Sequence, residues 1–243
     1  MIDLHSHVLP GLDDGAENLD QALAICRAAA ADGIAVLAAT PHVRYDYPTT
    51  PDQMQVALAE LRLAVGDLVR LVPGAELDLF ELERPVDELR RFSLAGSGAF
   101  LLVETPYLGW PIEIGANLFR LRSNGITPIL AHPERNPQVQ ANPDLLAPLV
   151  DTGTLVQITA ASVDGRLGRR AKSTAKALLD RGLAHLIASD AHAPMIREIG
   201  MSDAARAVKD SELATWLTID VPRAIIEGAA IPMRPHRRRH LFG

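Results

Sequence analysis

The sequence predicts an α/β fold built on a parallel, barrel-type sheet. Three observations carry this expectation. Seven short apolar runs alternate with amphipathic segments of helical period, the rhythm of repeated βα units joined by right-handed crossovers. The runs are too apolar for an antiparallel sheet with one wet face. The length of 243 residues lies in the range of one barrel-type domain, which typically has about 250.

The elements follow in order. A strand over Ile2–His5 leads to a helix over Leu19–Asp32, which places Leu23, Cys26 and Ala30 on one face between an Asn18 N-cap and Gly33. A strand over Ile34–Ala39 precedes a helix over Pro51–Val65. Strands at Val69–Val72 and Ala99–Val103 lead to a helix over Ile114–Ser123. Further strands are Ile126–Ala131, Leu155–Ile158 and His185–Ala188, with helices at Asp144–Asp151, Leu167–Arg181, Ser202–Leu217 and Pro222–Glu227. No stretch rich in Gly, Ser or Pro divides the chain. We expect one domain over residues 1–232, then a flexible basic tail, 233–243, that contains His236 and His240.

Composition narrows the function. Apolar residues make up 48% and aromatics only 4%, so Ala, Leu, Ile and Val must build the core. The one cysteine, Cys26, excludes an internal disulfide and fits a reducing cytoplasm. It lies in an Ala-rich helix with Asp32, not Arg, six positions on, so a cysteine phosphatase loop is absent. No apolar run reaches the roughly 20 residues that span a bilayer, and no basic-then-apolar signal segment opens the chain. A net charge of −6 argues against nucleic acid as a partner. The sequence contains no GxGxxG, P-loop or GxSxG pattern.

What remains is metal chemistry. His5 and His7 end the first strand and share a face, because strand side chains alternate. Asp190 and His192 repeat the pattern after the last strand. Between them His42, Glu76, Glu104 and His132 each follow an apolar run, and Asp14 lies in an Asp-Asp-Gly turn. Singly, each is more often a solvated loop residue. Together they occupy strand ends that converge on one barrel mouth, and imidazole with carboxylate suits Zn²⁺, Mn²⁺ or Fe²⁺. Arg44, Arg135 and Arg197 lie close in sequence to these residues. Guanidinium beside a cationic cluster suits an anionic substrate between them, a phosphoester in particular. His185, at the opposite end of its strand, is expected to be structural.

The chain resembles the PHP (polymerase and histidinol phosphatase) superfamily, and within it the bacterial manganese-dependent protein-tyrosine phosphatases of capsular and exopolysaccharide operons. The resemblance rests on Asp3-Leu-His-Ser-His-Val-Leu-Pro-Gly-Leu-Asp-Asp-Gly15, Ala39-Thr-Pro-His42, Gly74-Ala-Glu76, Pro128-Ile-Leu-Ala-His-Pro-Glu-Arg135, Gly153-Thr-Leu-Val-Gln-Ile-Thr159 and Ala188-Ser-Asp-Ala-His192. It implies a distorted seven-stranded (β/α)7 TIM-like barrel with three divalent metals, Mn²⁺ first, Fe²⁺, Zn²⁺ or Mg²⁺ also suited. In that family's pattern His5, His7, Glu104 and Asp190 would hold one metal. Glu76, Glu104 and His132 would hold a second, with Glu104 bridging, and Asp14, His42, Glu76 and His192 a third. Arg135 and Arg197 match the catalytic arginines that grip the phosphoryl group; Arg44 has no family counterpart and is read as substrate-binding from its position alone.

The resemblance thus implies a cytoplasmic phosphatase that uses a metal-bridging hydroxide as nucleophile and acts on a phosphotyrosine protein, a bacterial tyrosine autokinase. Two other readings stay open: a small-molecule phosphatase such as a histidinol-phosphate phosphatase, and a non-catalytic metal-binding scaffold in a polysaccharide-synthesis complex. Nuclease activity is disfavoured by the net charge.

Overall fold

The computed structural model describes residues 1–193 and 199–235. Among them, short parallel strands alternate with helices, as expected. The strands are β1 (Ile2–Asp3), β2 (Val36–Ala39), β3 (His42–Val43), β4 (Arg70–Pro73), β5 (Glu76–Asp78), β6 (Phe100–Glu104), β7 (Thr127–Ala131), β8 (Leu155–Thr159) and β9 (Leu186–Ala188). All ladder pairs are parallel, in the orders β1-β2-β4 and β3-β5-β6-β7-β8-β9.

Two expected strands are each broken in two. Ala39 pairs with Pro73 at the end of β2 and β4, and both chains then leave the ladder. Pro41 has no N–H to donate, and Pro73 cannot continue the bonding on its own strand. Pairing resumes three residues later on each strand, where His42 faces Glu76 across β3 and β5. Counting each broken strand once restores the expected seven. The sheets are stitched together by single bonds: Thr40 N–H to Ser6 O (2.8 Å) and Glu76 N–H to Pro41 O (3.1 Å). The far edge returns to the start through a parallel bridge between Ser6 and Ala191, with Asp190 N–H donating to His5 O (2.9 Å) and His7 N–H to Ala191 O (2.8 Å). The result is a distorted barrel whose C-terminal mouth is joined by these bonds.

Helices cover the outside. They are α1 (Leu19–Ala31), α2 (Pro51–Val65), α3 (Val86–Arg90), α4 (Ile114–Ser123), α5 (Pro137–Ala141), α6 (Ala147–Asp151), α7 (Ala160–Asp164), α8 (Arg169–Asp180), α9 (Met201–Ala207), α10 (Ser211–Thr215) and α11 (Val221–Glu227). Local chemistry sets several boundaries. The Asn18 side chain accepts from Gln21 N–H at the start of α1, and Thr50 with Gln53 forms a capping box at α2, with Pro51 as its first residue. The expected helix over Asp144–Asp151 begins as a 3₁₀ turn, Pro143–Leu146, because Pro148 cannot bond back to Asp144. The expected Ser202–Leu217 helix is interrupted where Lys209 enters the left-handed region (φ 60°) and Asp210 caps a new start by accepting from Leu213 N–H; a π turn, Trp216–Asp220, then leads into α11.

The strands are buried on both faces, as a helix-covered parallel sheet requires; in β6 every residue from Phe100 to Glu104 is buried. Leu37, Leu77, Leu101, Ile129, Val156 and Ile187 are core residues from successive strands. Cys26 is buried in α1, and burial pushes its thiol up to about 12, so it packs as a small hydrophobe. His185 Nδ1 accepts from Val156 N–H (3.1 Å), the structural role expected of it. Arg234, from the segment assigned to the tail, is docked: it donates to the carbonyls of Ala184 (2.6 Å) and Leu179 (2.9 Å) and lies over the Trp216 ring. The rest of that tail, with His236 and His240, lies outside the described residues.

Candidate metal centre

The mouth collects the ligand-type residues because of strand register. His42 and Glu76 are direct partners across β3 and β5, and Asp78 is opposite Glu104. With a period of two, Glu76 and Glu104 therefore line the same inward face one pleat apart. His132 immediately follows β7, and Asp190 lies two residues beyond β9. Both take left-handed backbone, φ 36° and 56°, a conformation that costs free energy at non-glycine residues and is concentrated at functional sites. His5 and His7 lie just past β1, where the Ser6–Ala191 bridge holds them.

The side chains meet closely. His5 Nε2 is 3.1 Å from His7 Nε2, 3.2 Å from Glu76 Oε2 and 3.5 Å from Asp190 Oδ1. His132 Nε2 is 2.7 Å from Glu76 Oε1. His42 Nδ1 is 3.1 Å from Glu76 Oε2 and 3.6 Å from Glu104 Oε2. Asp14 Oδ1 lies 3.3 Å from His192 Nε2 and 3.6 Å from His42 Nε2. Among the described residues, four sets have ligand atoms close enough for one ion: His7, Asp14, His42 and His192; His5, His7 and Asp190; His5, Glu76 and His132; and His42, Glu76 and Glu104. All nine sequence candidates are in this cluster. Their grouping differs from the one the resemblance implies. Glu76, which the resemblance also places in two sets, is shared between two of these, because it lies one pleat deeper, within reach of His5, His7, His42 and His132, whereas Glu104 enters only one.

The donor set fits divalent cations. Buried polar atoms are normally hydrogen-bonded, yet His42 Nδ1, Glu76 Oε2 and Glu104 Oε1 are buried without a hydrogen-bond partner and belong to one set. Burial drives His42 down to about 3, so its ring offers a lone pair. Burial opposes ionisation of Glu76 and Asp190, but the surrounding histidines overcome it and hold both well below the usual carboxylate range. Glu104 goes the other way, raised by burial and by the neighbouring Glu76 charge. Asp14 is lowered, chiefly by its hydrogen bond to His192. Several anionic oxygens facing inward-pointing imidazoles call for positive charge between them.

Several supporting residues were missed in the sequence. Asp13, not only Asp14, belongs to the site: its buried carboxylate accepts from His7 Nδ1 (2.7 Å), His42 N–H (2.9 Å) and Gly15 N–H (2.9 Å). Asp-Asp-Gly does not reveal which aspartate points inward. His5 Nδ1 donates to Gln157 Oε1 (3.0 Å). These bonds direct each Nε2 lone pair into the cluster. Gly15 packs against His7 so closely that a Cβ would lie 2.1 Å from the His7 carbonyl oxygen. Asp3 bonds Ser189 N–H and His5 N–H, joining the two ends of the site, and burial raises its carboxyl to about 6. Glu134 is buried and accepts from Thr159 N–H and Ser162 Oγ, fixing the 3₁₀ turn Pro133–Arg135 that carries Arg135.

Of the three arginines, Arg135 Nη1 donates to Asp190 Oδ2 (2.5 Å). Arg44 pairs with Asp46 (2.7 Å), approaches Glu104 (3.5 Å) and lies over the Tyr47 ring. Arg197 lies outside the described residues.

Comparison with known proteins agrees with this geometry. The family model for capsular polysaccharide synthesis, CpsB/CapC, matches residues 1–227. The chain is 33% identical to the tyrosine-protein phosphatase YwqE of Bacillus subtilis, over 100% of this chain and 99% of that one. It is 28% identical to the tyrosine-protein phosphatase CpsB of Streptococcus pneumoniae, over 93% and 98%. A crystal structure from the study of YwqE and CpsB as metal-dependent tyrosine phosphatases superposes with a TM-score of 0.88 at 29% identity, covering 98% of this chain and all of that one. No helix among the described residues is long and apolar enough to cross a membrane. The chain therefore belongs to the CpsB/CapC family of capsular polysaccharide synthesis.

Proposed function

We propose that this chain is a metal-dependent phosphatase that removes phosphate from tyrosine in proteins, in the cytoplasm, with a bacterial tyrosine autokinase of capsule or exopolysaccharide synthesis as its substrate. The observation that carries the proposal is the set of buried ligand atoms without a hydrogen-bond partner, His42 Nδ1, Glu76 Oε2 and Glu104 Oε1, in a cluster fed by six of the seven strands, all but β8. The names of its relatives support tyrosine phosphate as the ester.

His5, His7, Asp14, His42, Glu76, Glu104, His132, Asp190 and His192 hold the cations, which we put at three, with Mn²⁺ as the native metal. A divalent ion held by these residues would supply Lewis acidity toward water and the phosphoryl oxygens. The chain does the rest. Asp13 and Gln157 hold the Nδ1 protons of His7 and His5, so neither ring can turn its lone pair away. Arg135, fixed against Asp190, presents a planar guanidinium to the phosphoryl oxygens. We assign Arg197 the same task and place Arg44 at the Glu104 edge of the substrate. Phenol is a far stronger acid than an alkyl alcohol, with a pKa of about 10, so tyrosine needs little help in leaving.

Metal analysis of the purified protein, beside turnover of a phosphotyrosine peptide and of histidinol phosphate before and after chelation, tests this. We expect bound divalent metal, loss of peptide turnover on chelation and recovery with Mn²⁺. Full activity in chelated protein, or no phosphotyrosine turnover with Mn²⁺, Fe²⁺, Zn²⁺ or Mg²⁺, would refute it.

A further inference from the structure

All three tyrosines of the chain stand on two loops at the mouth: Tyr45 and Tyr47 just after β3, and Tyr107 three residues after Glu104. In a sequence only 4% aromatic, this concentration belongs to the mouth. Their settings differ. Tyr47 is part of the scaffold, parallel to the His42 ring with centroids 6.0 Å apart and Arg44 above it. Tyr45 is 99% exposed. Tyr107 combines both situations: it is 57% exposed, yet its loop is tied to the scaffold beside the cluster.

The Tyr107 loop is tied to the turn that carries Arg135. Asn136, buried and adjacent to Arg135, donates through its amide to the carbonyls of Pro106 (2.6 Å) and Gly109 (3.0 Å). Its own oxygen accepts from Gln138 and Val139 N–H, so the amide cannot rotate freely. One buried side chain thus sets the spacing between an aromatic ring and the guanidinium beside the cluster.

Resting on the phosphatase reading, we propose that Tyr107 is a specificity-determining residue: its ring is the wall against which the aromatic ring of an aryl phosphate packs, so that the site selects tyrosine phosphate over alkyl phosphates. An ester held between the cluster and Arg135 would project its leaving group outward, toward the loop after Glu104 that carries the half-exposed Tyr107. A phenyl ring there gains an offset or edge-to-face contact. A short alkyl group has too little surface to do so.

The test compares wild type with Tyr107→Ala, Tyr107→Phe and Tyr45→Ala in full-length, Mn²⁺-loaded protein. The readouts are kcat/KM on p-nitrophenyl phosphate against β-glycerophosphate, and calorimetric binding of phenylphosphonate against methylphosphonate. We expect Tyr107→Ala to lower the aryl-to-alkyl ratio and the phenylphosphonate affinity by about tenfold, the upper range for an aromatic pair, while methylphosphonate binding holds. Tyr107→Phe and Tyr45→Ala should keep the wild-type ratios. Equal losses for aryl and alkyl ligands, no change in Tyr107→Ala, or loss of selectivity in Tyr107→Phe would each overturn the proposal. If the wild type hydrolyses neither ester, the phosphatase reading fails, and the phosphonate arm alone decides the role of Tyr107.

Discussion

Replacing Asp13 by Asn should weaken metal binding without touching any proposed ligand. The Asp13 carboxylate receives three donors: His7 Nδ1 and His42 N–H on Oδ2, and Gly15 N–H on Oδ1. An amide has only one oxygen. If that oxygen takes the Oδ2 place, the NH₂ opposes Gly15 N–H; if it takes the Oδ1 place, the NH₂ opposes both others. At least one buried donor is left unpaired, at a cost of about 1–3 kcal/mol. The negative charge that polarises His7 is also lost. Removal of such an outer partner typically lowers metal affinity by about 10–100-fold. Calorimetric Mn²⁺ titration of wild type and Asp13→Asn, with thermal unfolding of both metal-free proteins, measures the two effects separately. If Asp13→Asn binds Mn²⁺ as tightly as wild type, the role given to Asp13 is wrong.

Three further outcomes are expected. Gly15→Ala places a Cβ 2.1 Å from the His7 carbonyl oxygen and 2.4 Å from its Cβ, so His7 must move; we expect about 1–3 kcal/mol lower stability and reduced metal content, and unchanged values of both would count against the close approach. Burial opposes the charged His7 ring, but Asp13, Asp190 and Glu76 outweigh it and raise His7 well above its ordinary value; metal must therefore displace a proton, affinity must rise with pH, and binding heats that do not depend on the buffer's ionisation enthalpy would contradict this. Burial lowers His185 to about 4 in the folded protein, so the unfolded state takes up the extra proton as pH falls from about 6.5, and folding stability is lost across that window. At pH 5.5 the loss is about 1 kcal/mol. His185→Asn keeps an acceptor for Val156 N–H but cannot titrate, and denaturation at pH 7 and 5.5 should show a smaller fall than in wild type; identical falls would exclude His185 as the cause.

The barrel rhythm was legible because a helix-covered parallel sheet needs apolar residues on both faces of each strand, as in Phe100–Glu104. The breaks after Ala39 and Pro73 were not foreseen, although Pro41 and Pro73 carried the signal: each removes a ladder donor at or just past the level where Ala39 pairs with Pro73. The nine ligand-type residues were legible as strand-end punctuation. Their partition was not, since it depends on register, with His42 opposite Glu76 and Asp78 opposite Glu104. The choice of Asp13 as an inward partner was equally hidden. Both aspartates of the turn are chemically alike, and only the approach of His7 and His42 separates them. The tie from Asn136 to the Tyr107 loop gave no signal, because its amide donates there to backbone carbonyls.

The bridge between Ser6 and Ala191 has a consequence for how the protein is made. Residues 16 and 40 bond the His5–His7 segment early, through His7 O and Ser6 O, but His5 O and His7 N–H find their backbone partners only when residues 190 and 191 arrive. Contacts of such wide sequence separation form late. On the metal reading proposed above, cation capture would then be the closing act of biogenesis, and the ions would fasten the seam between Ser6 and Ala191. Deuterium uptake at His7 and Asp190 should accordingly outpace that at β6 and β7 once the ions are stripped, and equal rates would argue otherwise.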